Sequence, residues 1–265
     1  MFVKLVSLFL LTSLLSTVAY AKDRQELHFL TVDYCPLMCQ SATQKGIMID
    51  ILDEIFPATQ YKVKVTFEPI MRAFQEITSG KYDGFLGGNQ IQLKENIFPK
   101  FVTVPNPTYF YKLKGSKWNY KNLDSLRNES FVVVRAFIYP NTEINDYIKR
   151  NEFKNIQYIN NLEHLPRMIS LIKRKRYTSF LAGEIATEYY FKKSVLKNNI
   201  ISDPKEIGIF NNSISIYPSG KKSQVLLKHI DSEFLKIYKS GKLQEIYKSY
   251  GITRKIKLIK NPPKS

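Results

Sequence analysis

The sequence predicts an α/β fold in two lobes, and three observations predict it. Residues 27–86 read as strand, loop, amphipathic helix, strand, helix and strand, the βαβαβ half of an α/β lobe. A second βα series starts afresh with the strand-like run 131–134 and continues through helical patterns at 143–149, 165–176 and 189–196. After Gly208 a β-like run over 209–217 leads back toward the first lobe, so two crossovers would act as hinges.

Each element has its own signal. Residues 27–32 alternate and favour β structure. Gly46 opens a helix in which Ile47, Ile51, Leu52 and Ile55 recur at helical spacing, and Pro57 stops it. Residues 61–67 alternate apolar with basic, a second strand; 70–78 form a short helix ended by Gly80, and 84–86 a third strand. The stretch 102–113 is extended, punctuated by Pro105 and Pro107 and rich in Tyr109, Phe110 and Tyr111. Its position suits a hinge strand, although a surface loop would have the same composition. In the second lobe, 178–181 reads as a further strand. Pro218-Ser219-Gly220 makes a turn before a long amphipathic helix over 225–239, and 241–251 completes it. The basic, Pro-containing tail 252–265 is expected to fray. The division expected is 22–110 for the first part of lobe 1, 111–208 for lobe 2, and 209–265 for the return to lobe 1.

Residues 1–21 read as an export signal. Lys4 supplies a positive start, 5–15 an apolar run broken only by Ser and Thr, and Ala19-Tyr20-Ala21 a small-x-small cleavage site. The run is well short of the ~20 residues of a membrane span. No cysteine follows closely, so a lipid anchor is not indicated. The mature chain would start near Lys22, free in the periplasm, with 244 of the 265 residues left to bury one large core or two modest ones.

The net charge of +17 falls to +16 without Lys4. Such an excess can mark nucleic-acid binding, but here Lys and Arg are spread along the whole chain and export argues against it. The densest run, Lys173-Arg174-Lys175-Arg176, ends a helical segment, where cations favour the macrodipole. A solvated basic surface and an attraction to anionic ligands or membranes both fit that run.

Cys35 and Cys39 are the only two cysteines. An exported pair this close can form a small disulfide that pins the loop after the first strand. They are one residue too far apart for a Cys-x-x-Cys redox motif, and a metal would need more ligands, with His28, His164 and His229 all distant in sequence. Neither a metal nor a cofactor is expected.

The segments Tyr34-Cys35-Pro36-Leu37-Met38-Cys39, 46–56, Pro69-Ile70-Met71-Arg72-Ala73-Phe74, 80–89 and the ending 241–251, in this order and spacing, resemble the extracellular solute-binding proteins of family 3. Those are periplasmic receptors that feed polar amino acids and similar small molecules to ABC importers. The nearest form is a subgroup with a Cys-Pro-x-x-Cys loop, a Pro-x-x-Arg-Ala helix and a Trp-x-Tyr-x-x-x-x-Ser-Leu entry to lobe 2, here Trp118-Asn119-Tyr120 to Ser125-Leu126. The resemblance implies a type II periplasmic-binding-protein-like fold. It also implies a small-molecule ligand and an inner-membrane ABC permease, or a sensor protein, as partner to a monomer. The chain departs from the family in two places. Gln92-Leu93-Lys94-Glu95-Asn96 stands where a Thr-x-x-Arg clamp for the ligand carboxylate is usual, and Met48 where an acid is usual.

In two-lobed α/β receptors the ligand lies between the lobes, near strand carboxyl ends. That places Tyr34 as an aromatic wall, or simply as a tyrosine at a domain edge. Arg72 would grip an anionic group, or as a surface cation pair with Glu68 or Glu76. Gly87, Gly88 and Asn89 would turn backbone N–H groups to the ligand, or make a tight turn. From lobe 2 come Arg135, Tyr139 and Glu184, the last near where the family places an acid for a ligand ammonium. No hydrolase, metalloprotease or phosphate-loop motif is present, so no catalytic residue is expected. Dehydratases and kinase sensor domains built on the same scaffold remain the alternatives.

Overall fold

The computed structural model describes residues 24–40, 43–135, 137–150, 155–159, 164–192 and 199–263. The export signal expected over 1–21 lies outside the described residues, as do residues 193–196 of the helix expected over 189–196.

The first lobe opens with β1 (Gln25–Thr31), α1 (Ile47–Ile55), β2 (Tyr61–Phe67), α2 (Ile70–Glu76) and β3 (Gly84–Gly88). β1 lies between β2 and β3, parallel to both. Successive side chains of a strand point to opposite faces. Leu27 and Phe29 of β1 accordingly join one apolar cluster, with Ile47, Ile51 and Leu52 of α1, whereas Leu30 joins the other, with Ala73, Ile77 and Phe85. Gly46 starts α1 at φ 114°, and a Cβ there would stand 2.5 Å from the Leu37 carbonyl oxygen, so glycine is required.

The chain then enters β4 (Val104–Leu113), β5 (Phe131–Val134), α3 (Thr142–Arg150), β6 (Ile156–Ile159), α4 (His164–Lys173), β7 (Ser179–Gly183), α5 (Glu184–Lys192) and β8 (Ile200–Ser202). It returns through β9 (Gly208–Ile216) to α6 (Lys221–Lys239) and α7 (Lys242–Ser249). The strand order is β2-β1-β3-β9-β4-β7-β5-β6, with β8 beside β4. β9 pairs antiparallel with β3 at its C-terminal end and with β4 at its N-terminal end, where Val104 faces Asn212 and Thr108 faces Gly208. Further along, β4 pairs with β7 from Thr108–Gly183 to Lys112–Ser179. β4 and β9 are thus the two hinge crossovers of a two-lobed α/β fold. In lobe 2, Phe131, Val133 and Leu181 pack on one sheet face with α3, and Val132, Phe180 and Ala182 on the other with α4. Lobe 2 also buries an ion pair: the Lys112 ammonium lies 3.3 Å from the Asp203 carboxylate, with side-chain exposures of 3% and 0%.

Three features differ from the sequence reading. α5 begins at Glu184, immediately after β7, rather than near residue 189, because Gly183 passes straight from strand to helix without a turn. The short strands β6 and β8, of four and three residues, hold too little alternation to be legible in the sequence. The tail docks instead of fraying: Ile252 and Ile256 are buried, Val102 N–H donates to the Ile259 carbonyl (2.8 Å), and Asn261 Nδ2 donates to the Pro99 carbonyl (2.8 Å). Apolar residues recur through this basic segment, and burying them outweighs the freedom of a loose end.

Candidate functional site

Between the lobes lies a cavity of about 80 Å³. Lobe 1 supplies Val32, Asp33, Tyr34, Met38, Ile70, Phe74, Phe85, Gly87 and Gln92; lobe 2 supplies Val134, Arg135, Phe137, Tyr139, His164, Leu181, Ala182 and Gly183. Phe210 and Asn212 of the hinge strand β9 also line it. The walls are mainly aromatic and aliphatic, with a few polar groups among them, the composition of a small-molecule site.

The loop after β1 presents Tyr34 and Met38. Its turn is closed by Tyr34 N–H to the Met38 carbonyl (2.8 Å), and it is tied to the start of α1 by Ile47 N–H to the Pro36 carbonyl (2.9 Å). The Cys35–Cys39 disulfide is formed across the same loop. Tyr34 reaches over to lobe 2, stacking on the His164 ring at 5.4 Å and lying 6.1 Å from Phe137. Burial pushes its hydroxyl up to about 12, against the opposing effect of a hydrogen bond with Asn106. Asn106 is buried on hinge strand β4, and its Oδ1 also accepts the Ile185 N–H at the start of α5 (3.0 Å). One side chain therefore joins the lobe 1 loop, the hinge and lobe 2.

Tyr139 is held by a reciprocal pair with Asn145 of α3: Tyr139 N–H donates to Asn145 Oδ1 (2.9 Å) and Asn145 Nδ2 to the Tyr139 carbonyl (2.8 Å). Its hydroxyl accepts the Val134 N–H (3.1 Å), and burial raises its pKa, keeping the phenol protonated. Arg135 stands at the end of β5, its guanidinium 4.6 Å from the centre of the Tyr158 ring. Gly87 adopts φ 93°, and a Cβ there would lie 2.5 Å from Met38 Cε, so its missing side chain is what admits Met38 to the cavity wall.

Of the residues singled out in the sequence, Tyr34, Gly87, Arg135 and Tyr139 are brought together at this cavity, and the rest lie elsewhere. The Arg72 side chain is 63% exposed and pairs with Glu68 (3.4 Å) and Glu76 (2.6 Å) on its own side of α2. Gly88 is buried against Leu93. Asn89 caps its own turn, Oδ1 accepting the N–H groups of Ile91 and Gln92 (both 3.0 Å), and lines a separate surface groove with Pro140 and Ile209. Glu184 forms an ion pair with Arg254 of the tail. Sequence reasoning missed Asp33, Gln92, Phe137, His164, Phe210 and Asn212. The position of Asp33 and Tyr34 just after a strand was a signal for Asp33; a lone histidine such as His164 gives none. Among the described residues no cluster of three or more His, Cys, Asp or Glu side chains is arranged to hold a metal ion. Nor is any described helix long and apolar enough to cross a membrane.

Neither a protein-family model nor a curated protein sequence matches the chain. Solved structures do match. A histidine kinase sensor domain with similarity to periplasmic binding proteins aligns at 14% identity over 86% of this chain and 97% of that one, with a TM-score of 0.68. An ancestral arginine-binding protein bound to arginine aligns at 17% identity over 86% and 98%, TM-score 0.66. A chain from the glutathione import route through GshT and the cystine ABC importer TcyBC of Streptococcus mutans aligns at 20% identity over 91% and 98%, TM-score 0.66. The fold is that of the periplasmic-binding-protein-like two-lobed domains. At these identities the likeness is one of fold, and the neighbours are binding proteins and a sensor domain rather than enzymes.

Proposed function

We propose that the protein is an extracellular solute-binding protein of the family 3 kind. It captures a small polar molecule, amino-acid-like or anionic, between its lobes and delivers it to an inner-membrane ABC importer. The observation that carries this reading is the cavity at the hinge, walled by side chains from both lobes. In this reading lobe 1 comprises 22–110 with 209–265, lobe 2 comprises 111–208, and the chain is exported through its first 21 residues to work as a periplasmic monomer. Tyr34, Gly87, Arg135 and Tyr139, with Asp33 and His164, make up the ligand set. Closure is favoured only by as much as the ligand prefers the closed form.

Native mass spectrometry of protein purified from its periplasm, with a thermal-shift screen of amino acids, amines and organic acids, tests the reading. A retained small molecule or a clear stabilisation is expected. A clean unliganded mass and no stabilisation by any compound would remove the capture function. A second reading, a ligand sensor for a membrane kinase, is favoured by the likeness to the histidine kinase sensor domain. Deleting the gene would then leave uptake of the ligand unchanged, whereas deletion of a transport receptor would abolish it.

A further inference from the structure

The longest helix presents a face that the fold does not use. α6 has 19 residues and so is about 28 Å long. Its buried residues, Ser223, Leu226, Ile230, Phe234 and Ile237, form one stripe, and the four apolar ones join the lobe 1 core. With about 3.6 residues per turn, Lys221, Lys228, Ser232 and Lys239 line up on the opposite side, and all four are exposed. The acids of the helix stand on its flanks and are engaged: Asp231 accepts the Lys100 N–H (2.6 Å), and Glu233 pairs with Lys236 (2.7 Å). Lys221, Lys228 and Lys239 make no ion pair with any described residue. Helix stability does not account for Lys221, because a cation in the first turn opposes the macrodipole. Charge is also unevenly shared within lobe 1: residues 209–265 hold 12 Lys and Arg against 3 Asp and Glu, whereas residues 24–110 hold 8 against 9.

We infer that this ridge of α6 is a docking face for a bilayer surface bearing anionic headgroups. Its three ammonium groups are spread over about 27 Å of a convex rod with no carboxylate between them. Val225 is the one exposed apolar side chain of the helix, too little for the apolar core of a protein interface. Headgroups require only opposite charge within about a Debye length. The run Lys173-Arg174-Lys175-Arg176 is a weaker match, since four consecutive residues point to different sides of the chain and complement the macrodipole at the end of α4. Charge alone would thus hold lobe 1 at a membrane. The inference does not rest on ligand capture, so the two stand or fall separately.

Vesicles of phosphatidylcholine, alone and with about one phosphatidylglycerol in three lipids, would be sedimented with the exported full-length protein. Binding is expected only to the anionic vesicles, and to fall away between about 0.1 M and about 0.5 M salt. Lys221→Gln, Lys228→Gln and Lys239→Gln combined should weaken it about a hundredfold, at roughly fivefold per lysine. Lys173→Gln, Arg174→Gln and Arg176→Gln combined remove the same charge from lobe 2 and should leave binding unchanged. Both variants alter exposed side chains only, and an unchanged melting temperature checks that each is folded. Equal binding to neutral vesicles, equal losses in the two variants, or a loss confined to the lobe 2 variant overturns the inference. So does an absence of vesicle binding; retention on immobilised poly-L-glutamate in that case would assign the ridge to an acidic polypeptide instead.

Discussion

The Lys112–Asp203 pair is a costly arrangement, two charges taken almost wholly out of water. Further bonds stabilise the charges: Lys112 donates to Asn119 Oδ1 (2.5 Å), and Asp203 accepts the N–H groups of Tyr120 (3.0 Å) and Lys205 (3.1 Å). It thereby staples the segment after β4 to the segment after β8. Removing one partner leaves a buried charge without its counter-ion, so Lys112→Met should cost about 3–5 kcal/mol in urea unfolding. Adding Asp203→Leu should restore much of that loss, because the second charge is then gone as well. A Lys112→Met cost below about 1 kcal/mol would mean that water reaches the pair in solution.

Among the elements, legibility followed periodicity. β2 was read in full because Tyr61-Lys62-Val63-Lys64-Val65-Thr66-Phe67 alternates without a break, and α1 because its isoleucines keep helical spacing. β6 was not, since four residues, Ile-Gln-Tyr-Ile, hold too short a pattern to stand out. The acids four residues before and after Arg72 were visible in the sequence, and their helical spacing is what fixes that side chain outside the cleft. His164 and Asn106 owe their place to contacts between residues far apart in the chain, which no local pattern records. The tail is the plainest case: its charges suggested fraying, while Ile252 is wholly buried against lobe 1. Ile252→Ala should therefore lower stability by about 2–5 kcal/mol. In a frayed tail the same change would stay within about 0.5 kcal/mol, which chemical denaturation can resolve.

For the molecule as a whole, α5 and the chain after α7 join the lobes on a second side, away from the contacts of Tyr34 with His164 and Phe137. Ile185 enters the lobe 1 core, Tyr189 lies 6.3 Å from Tyr250, and Arg254 pairs with Glu184. Burial lowers the Arg254 pKa, so its charge is held there at some expense. Arg254→Ala should shift the lobes toward an open arrangement. The expected result is a larger radius of gyration by small-angle scattering without ligand, and several-fold weaker binding because fewer molecules are poised to close. An unchanged radius and affinity would show that the contact persists through opening. The route of the chain has one more effect. β1, β2 and β3 are synthesised first, yet the strand that covers β3 and the two helices that cover the sheet, α6 and α7, come last. Until then the nascent lobe has a bare edge and an apolar face that α1 covers only in part, which disfavours its locking into its final form early. A polypeptide that becomes foldable only when its last segment is finished stays loose while it is being made, and a loose chain is one that can still be threaded through a narrow pore.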